Sequence, residues 1–409
     1  MEHPDAQARP EAADATPVPW APERDAAAPV FAPRAKPRTG VVVAWCGAAL
    51  AVIMLAAGGA FVHVSANETF DVAEVRLERA AEAEASAHHS LTAARSAAER
   101  SVLSGEQILA AATDELVHPD ARSALGEALA TMSAGADDAR EVLDDPVDDA
   151  GARKPLWPWE LFAEASALDE RASAAGASVD DFAEMESILE VRHEQLTETA
   201  VALYASTVAA ADALEAAHVS ARAGAVLDFR DAADRVAQQR HVGSDAAVAF
   251  SLYATSAQTL ASSAQSELAE KAGPLFATRL EIEAYARSIA GGVVLDFDWA
   301  PVVAGTGGSR GIGGTATWDS ARGGSSTITL SHSVAEWWPN ADSRALVAHE
   351  VGHAITSKCH DKFDSQNADA NEEWATAWAI SMGHTAEGNG VQAYGYPSQE
   401  MIDLAATCR

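Results

Sequence analysis

The chain has 409 residues, 48% of them hydrophobic, and carries 60 acidic against 28 basic side chains for a formal net charge of -32. Such an excess of negative charge repels phosphate backbones, which excludes nucleic acid from the expected partners, and a chain of this length is expected to divide into more than one unit. Three cysteines, Cys46, Cys359 and Cys408, are too few for an all-cysteine zinc site.

Residues 1–39 hold half of the 16 prolines and show no apolar period, which predicts a disordered cytoplasmic tail. The uncharged run at 41–62, VVVAWCGAALAVIMLAAGGAFV, predicts a transmembrane helix over residues 40–64. A cleavable signal peptide would have a shorter apolar core and a shorter leader. Arg34, Lys36 and Arg38 precede the span, whereas Glu68 and Asp71 are the first charges after it, so the N-terminus is expected in the cytoplasm and the rest outside. In that oxidising space Cys359 and Cys408 are expected to form a disulfide.

Residues 65–290 are rich in Ala, Glu, Leu and Arg, which favours an all-α helical bundle or coiled-coil stalk of four or five helices. Leu196, Ala200, Leu203, Thr207, Ala210, Leu214, Ala217 and Ala221 recur at alternating steps of four and three, the spacing of a coiled-coil seam. Tyr253, Ala257, Leu260, Ala264 and Leu268 form a second stripe after a break at His241-Val242-Gly243-Ser244, so the two helices are expected to fold back antiparallel. Such a stalk also offers a surface for self-association. Trp157 and Trp159, at an inter-helix break, are expected to plug the end of a core.

Residues 291–409 carry 15 of the 27 glycines and β-rich runs at 293–297, 315–318 and 327–330, which predicts a separate C-terminal α+β domain. The glycine-rich run at 305–314 reads as a loop near a cleft. Further on, Ala345-Leu346-Val347-Ala348-His349-Glu350-Val351-Gly352-His353-Ala354-Ile355 has the apolar period of a buried helix, with Asp342 or Ser343 as its N-cap. Residues four apart return to nearly the same azimuth, so His349 and His353 can ligate one Zn2+ while Glu350 reaches a water at the metal. Zinc lowers the pKa of that water, and Glu350 accepts its proton as general base during peptide hydrolysis.

These residues resemble the zincin metallopeptidases, which implies a motif helix beneath a small twisted sheet, with peptide substrate paired along an edge strand. The metzincin continuation is missing, because Thr356 and Cys359 stand where Gly and His are required and His360 is out of register. The gluzincin branch takes a glutamate from the next helix, and Asn371-Glu372-Glu373-Trp374-Ala375-Thr376 implies Glu372 as the third ligand. Thr376 replaces the aspartate that supports a zinc-bound histidine in that family. Asp361, Asp364 or Glu373 are alternative oxygen donors. The resemblance also implies a His or Tyr that stabilises the oxyanion, for which His384, Tyr394 and Tyr396 are available, His384 being named first. Residues 327–330 are the expected edge strand. The expected whole is a membrane-anchored zinc peptidase; the alternative is a structural or adhesive surface protein with an inactive zincin-like domain.

Overall fold

The computed structural model describes residues 39–144 and 153–409, with side chains from residue 48 onward. The tail expected over residues 1–39 therefore lies, but for Thr39, outside the described residues. Helix α1 (Thr39–Ala111) runs without interruption from the apolar run into the acidic, alanine-rich region, so the expected span and the start of the expected stalk form one helix. Its residues 48–64 are exposed on every side, Leu50 at 65% and Phe61 at 75%, and burial begins only at Ala66. A helix apolar all round and covered by nothing among the described residues suits a lipid surrounding. Among the described residues two helices, α1 and α3 (Pro158–Ala217), are long and apolar enough to cross a membrane, but none of the apolar window of α1 is buried whereas 22% of that of α3 is.

The alanine-rich stretches form long helices because little in them breaks the backbone ladder, and helices of this length are held by side-to-side packing. Helix α2 (Pro119–Leu143) begins with proline at its first turn. It lies against both α1 and α3 and runs antiparallel to α3, as shown by His118 N donating to Ser206 Oγ at 3.1 Å while Arg192 reaches Asp138 at 3.4 Å. Helices α1 and α3 run parallel, with Arg76 on Asp169 at 3.2 Å and Ser90 on Glu186 at 2.8 Å. The buried face of α3 comprises Leu161, Ala165, Leu168, Ala175, Phe182, Leu189, Leu196, Ala200, Leu203 and Thr207, a seam at heptad spacing far longer than the stripe seen from Leu196 onward.

Two expectations about this bundle are corrected. The chain turns after Ala217 and inserts α4 (Ala223–Ala237) before α5 (Ser244–Glu270), so the two striped helices are separated by a further helix. Arg230 of α4 bonds Glu215 of α3 through Nε at 2.7 Å, and Phe229 stacks on Tyr253 of α5 at 5.5 Å. Trp157 and Trp159 plug no core: they are 57% and 65% exposed and stack on each other at 5.1 Å. The buried seam of α3 starts at Leu161, so Trp157 at the N-cap and Trp159 off the seam are left outside.

Helix α6 (Phe276–Ile289) resembles the bundle helices in composition, yet it buries Ile282 and Ala286 in the C-terminal core, so the packing boundary lies ahead of Phe276 and not at residue 290. There follow β1 (Val294–Ala300), β2 (Gly314–Asp319), β3 (Ser325–Ser331), α7 (His332–Trp337), α8 (Ala341–Cys359), α9 (Ala368–Ser381), α10 (Val391–Tyr394) and α11 (Gln399–Ala405). The sheet order is β1-β3-β2, with β1 parallel and β2 antiparallel to β3. Residues 327–330 therefore form the central strand, hydrogen-bonded on both sides, and the expectation of an edge strand there is corrected to β2.

Helix α8 is the middle layer. Val347, Val351, Ala354 and Ile355 share a core with Phe297, Ile328 and Leu330 of the sheet and with Trp374, Ala377 and Trp378 of α9. Each buried indole removes on the order of 200 Å² from water, worth roughly 5 kcal/mol before the entropy of ordering. Trp374 Nε1 donates to Gly352 O at 3.1 Å, and Trp378 Nε1 donates to Cys408 O at 2.9 Å. Cys359, at the end of α8, is disulfide-bonded to Cys408 with the Cα atoms 6.5 Å apart, which ties the chain end to the middle layer. The bundle meets the sheet through Arg222, which contacts Asp298 at 2.8 Å, and through Asp296, which accepts from Ala223 N–H at 2.9 Å.

Candidate metal centre

The helix carrying the paired histidines is capped by Asn340, whose side chain accepts from Ser343 N at 2.7 Å, so the N-cap lies ahead of the expected Asp342 or Ser343. The next helix, α9, is capped by Asn367, which accepts from Asp369 N and Ala370 N. The two helices cross where Gly352 faces Ala375: a Cβ on Gly352 would lie 2.8 Å from Ala375 Cα and O. Only glycine permits this approach, which brings residue 372 over the histidine face.

His349, His353 and Glu372 converge, with one ligand atom from each lying within 4.8 Å of the others; among the described residues this is the group of its kind. Glu372 Oε2 stands 3.1 Å from His349 Nε2 and 3.3 Å from His353 Nε2. Each remaining ring nitrogen faces an oxygen. His349 Nδ1 is 2.9 Å from Asn389 O, a backbone carbonyl that can only accept, so Nδ1 carries the proton. His353 Nδ1 is 2.9 Å from Asn371 Oδ1, and Asn371 orients that oxygen by donating through Nδ2 to Ser365 O at 3.1 Å. Each imidazole therefore turns its Nε2 toward Glu372 Oε2, where that nitrogen either bonds the carboxylate through a proton or offers its lone pair to a cation. Three lone-pair donors so placed repel one another unless a cation or a proton lies among them, and this donor set suits zinc.

Electrostatics follow the same geometry. Burial opposes ionisation of Glu372, but hydrogen bonds to His349 and His353 outweigh it and hold its pKa at about 2. Burial likewise opposes the charged form of His353, but its bond to Glu372 and the negative charges of Glu350 and Glu372 raise its pKa. Glu350 is buried, and its Oε2 has no hydrogen-bond partner. Burial raises its pKa, Glu372 adds to the rise, and the charges of His349 and His353 oppose it. A carboxylate kept dry and unpaired beside these three side chains is poised to exchange a proton with something bound in front of it.

That space is a cleft of about 520 Å³ whose lining includes His349, Glu350, Leu346, Arg310, Gly314 and Tyr394. The glycine-rich run contributes Thr306 and residues 310–314 to the lining, consistent with its reading as a loop beside a cleft. Gly314 opens β2 directly over Glu350, where a Cβ would come within 2.5 Å of Oε1. Among the described strands β2 pairs only with β3, so its outer edge offers free backbone groups next to the cleft.

The expected residues are not all brought together. Glu373 turns away and accepts from Ser398 N at 3.1 Å and Oγ at 3.2 Å; Asp361 and Asp364 do not join the triad. His384 does not line the cleft, since its Nε2 pairs with the Tyr285 hydroxyl at 2.7 Å, and burial together with the charge of Arg344 lowers its pKa. Tyr394 does line the cleft: its ring stacks on that of His349 at 5.9 Å and its hydroxyl bonds Glu372. Burial, then the charges of Glu372 and Glu350, raise the Tyr394 pKa, so the hydroxyl keeps its proton. Tyr396 is 70% exposed and outside the cleft. Thr376 Oγ1 lies 3.4 Å from His349 Nδ1, whose nearer partner is Asn389 O at 2.9 Å. That support was invisible in the sequence because a backbone carbonyl leaves no side-chain signature, whereas Asn371 could have been found as the residue paired with Glu372 in the motif.

Comparison with family models, with curated proteins and with solved structures returned no match.

Proposed function

We propose that the chain is a membrane-anchored, zinc-dependent peptidase of the gluzincin-like zincin class, hydrolysing peptide bonds in peptide or protein substrates outside the membrane. The observation that carries this reading is the convergence of His349 Nε2, His353 Nε2 and Glu372 Oε2 beside the buried, unpaired carboxylate of Glu350. The single uncovered apolar stretch of α1, with basic residues before it and acidic residues after it, supports a span whose N-terminus is cytoplasmic. The parallel heptad seam of α1 and α3 supports a coiled-coil stalk carrying the catalytic domain.

Zinc held by His349, His353 and Glu372 would supply Lewis-acid activation of a water molecule and of the scissile carbonyl. The chain's own residues do the rest. The outer edge of β2 aligns an extended peptide by main-chain hydrogen bonds and presents its carbonyl at the cleft. Glu350 accepts the proton of the attacking water at its free Oε2 and returns it to the departing amine; a raised pKa brings the carboxylate nearer the pH of work. Tyr394, protonated and stacked on His349, is placed to donate to the developing oxyanion. Asn389 O and Asn371 Oδ1 hold the imidazoles in the tautomer that ligation needs.

The test is casein cleavage by the full chain, wild type against Glu350→Gln, with zinc measured in both. A general base contributes about 100-fold or more, so Glu350→Gln should retain zinc and lose cleavage by at least that factor. Equal cleavage by both proteins, or none by either at full zinc occupancy, would refute the peptidase reading and favour a structural role.

A further inference from the structure

We propose that Trp157 and Trp159 seat the base of the stalk in the headgroup layer of a lipid bilayer, a second and interfacial membrane contact beside the α1 span. The inference rests on the reading of α1 as a membrane span and adds a partner surface that this reading does not assign.

The position of the pair comes from the register of two helices. Arg76 and Asp169, 93 positions apart, face each other, as do Ser90 and Glu186, 96 apart, so α1 and α3 rise together nearly residue for residue. Carried back along α3, this register sets Trp157 level with Val64 of α1, where the exposed apolar stretch ends. Packing confirms the level: Leu161, Ala165 and Leu168 share a small core with Ala66, Phe70 and Ala73.

The chemistry of the patch fits that level. Leu156 is 83% exposed, both indoles are more than half exposed, and Phe162 is 41% exposed one turn beyond Trp159. A compact apolar patch of this kind on a chain of net charge -32 needs an occupant. It is continuous with a helix surface whose own occupant is hydrocarbon, and indole rings partition to the boundary between acyl chains and headgroups because one edge is apolar and the N–H is polar. The two indoles stack on each other at 5.1 Å, and exposed Arg153, four residues before Trp157, offers a positive charge to phosphate groups. Inserted indoles would fix the angle of the stalk to the membrane and the height of the cleft above it.

The test uses the full chain reconstituted in phosphatidylcholine vesicles that carry bromine either near the headgroup end of the acyl chain or near its methyl end. Subtracting the emission of Trp157→Phe/Trp159→Phe from that of the wild type isolates the pair; subtracting Trp45→Phe isolates an indole within the apolar run. The pair should lose most of its emission to shallow bromine and several-fold less to deep bromine. If neither bromine affects the pair while Trp45 is quenched, the span stands and the interfacial contact is overturned, leaving contact between copies of the chain as the occupant. If Trp45 is untouched as well, the membrane reading itself is overturned, and this inference with it.

Discussion

Gly352→Ala puts the helix crossing behind the proposed metal centre to a direct test. The added Cβ would stand 2.8 Å from Ala375 Cα and O, backbone atoms that cannot swing aside. Carbon atoms settle at about 3.5–4.0 Å, so α9 must retreat by roughly 1 Å, carrying Glu372 with it. Overpacking of this kind costs about 1–3 kcal/mol, while replacing glycine within a helix returns about 1 kcal/mol, so the net loss of stability is about 2 kcal/mol or less. The effect on ligation is larger in proportion, because metal–ligand distances tolerate only about 0.2 Å. Zinc affinity should fall at least about 10-fold, the scale seen when ligand support is disturbed. Competition against a chromophoric chelator measures the affinity, and melting of the metal-free chain measures the stability. An alanine variant that melts higher than wild type and binds zinc within about twofold of it would refute the crossing geometry, since helix propensity would then be the whole effect.

Tyr394→Phe should lower kcat about 100-fold with KM little changed, because an oxyanion donor acts in the transition state; an equal rise in KM would mark Tyr394 as a substrate contact instead. In the chelator-treated chain, Glu372 has a folded pKa of about 2 against an ordinary 4.5, so the unfolded state binds the proton first as pH falls. Its stabilisation is present above the ordinary value and should disappear between about pH 4.5 and 2, which acid unfolding of wild type against Glu372→Gln will read; parallel curves would contradict it. Opening the Cys359–Cys408 disulfide releases a loop of 49 positions, a loss of about 4 kcal/mol by chain entropy; Cys408→Ser should therefore melt well below wild type, and an unchanged melting point would show that the tie is energetically idle.

What the sequence revealed follows from what local spacing encodes. The four-residue interval of His349 and His353 is a statement about one helix, and Asn371-Glu372 is a statement about the start of the next, so these residues were legible before any coordinates. The choice between Glu372 and Glu373 turns on the azimuth of α9 against α8, which the small residue Gly352 sets across the crossing. Which of His384 and Tyr394 reaches the cleft was less legible because both lie beyond α9, where tertiary folding decides which of them returns over it. Strand order was hidden for a similar reason: runs 315–318 and 327–330 have the same β character, and only the parallel pairing of β1 with β3 pushes β2 to the edge. In the bundle, the apolar stripe continued in register to Ala221 although the chain reverses after Ala217, because that turn contains neither proline nor glycine. Helix α6 looked like its predecessors in composition, and its membership of the C-terminal core lies in what Ile282 and Ala286 touch.

The most direct measurement is the zinc content and coordination of the purified full chain. Elemental analysis with X-ray absorption should find stoichiometric zinc bound by imidazole nitrogen and carboxylate oxygen in the wild type, and little or none in His353→Ala or Glu372→Ala. Zinc absent from the wild type, or retained equally in both variants, would contradict a metal centre built from His349, His353 and Glu372.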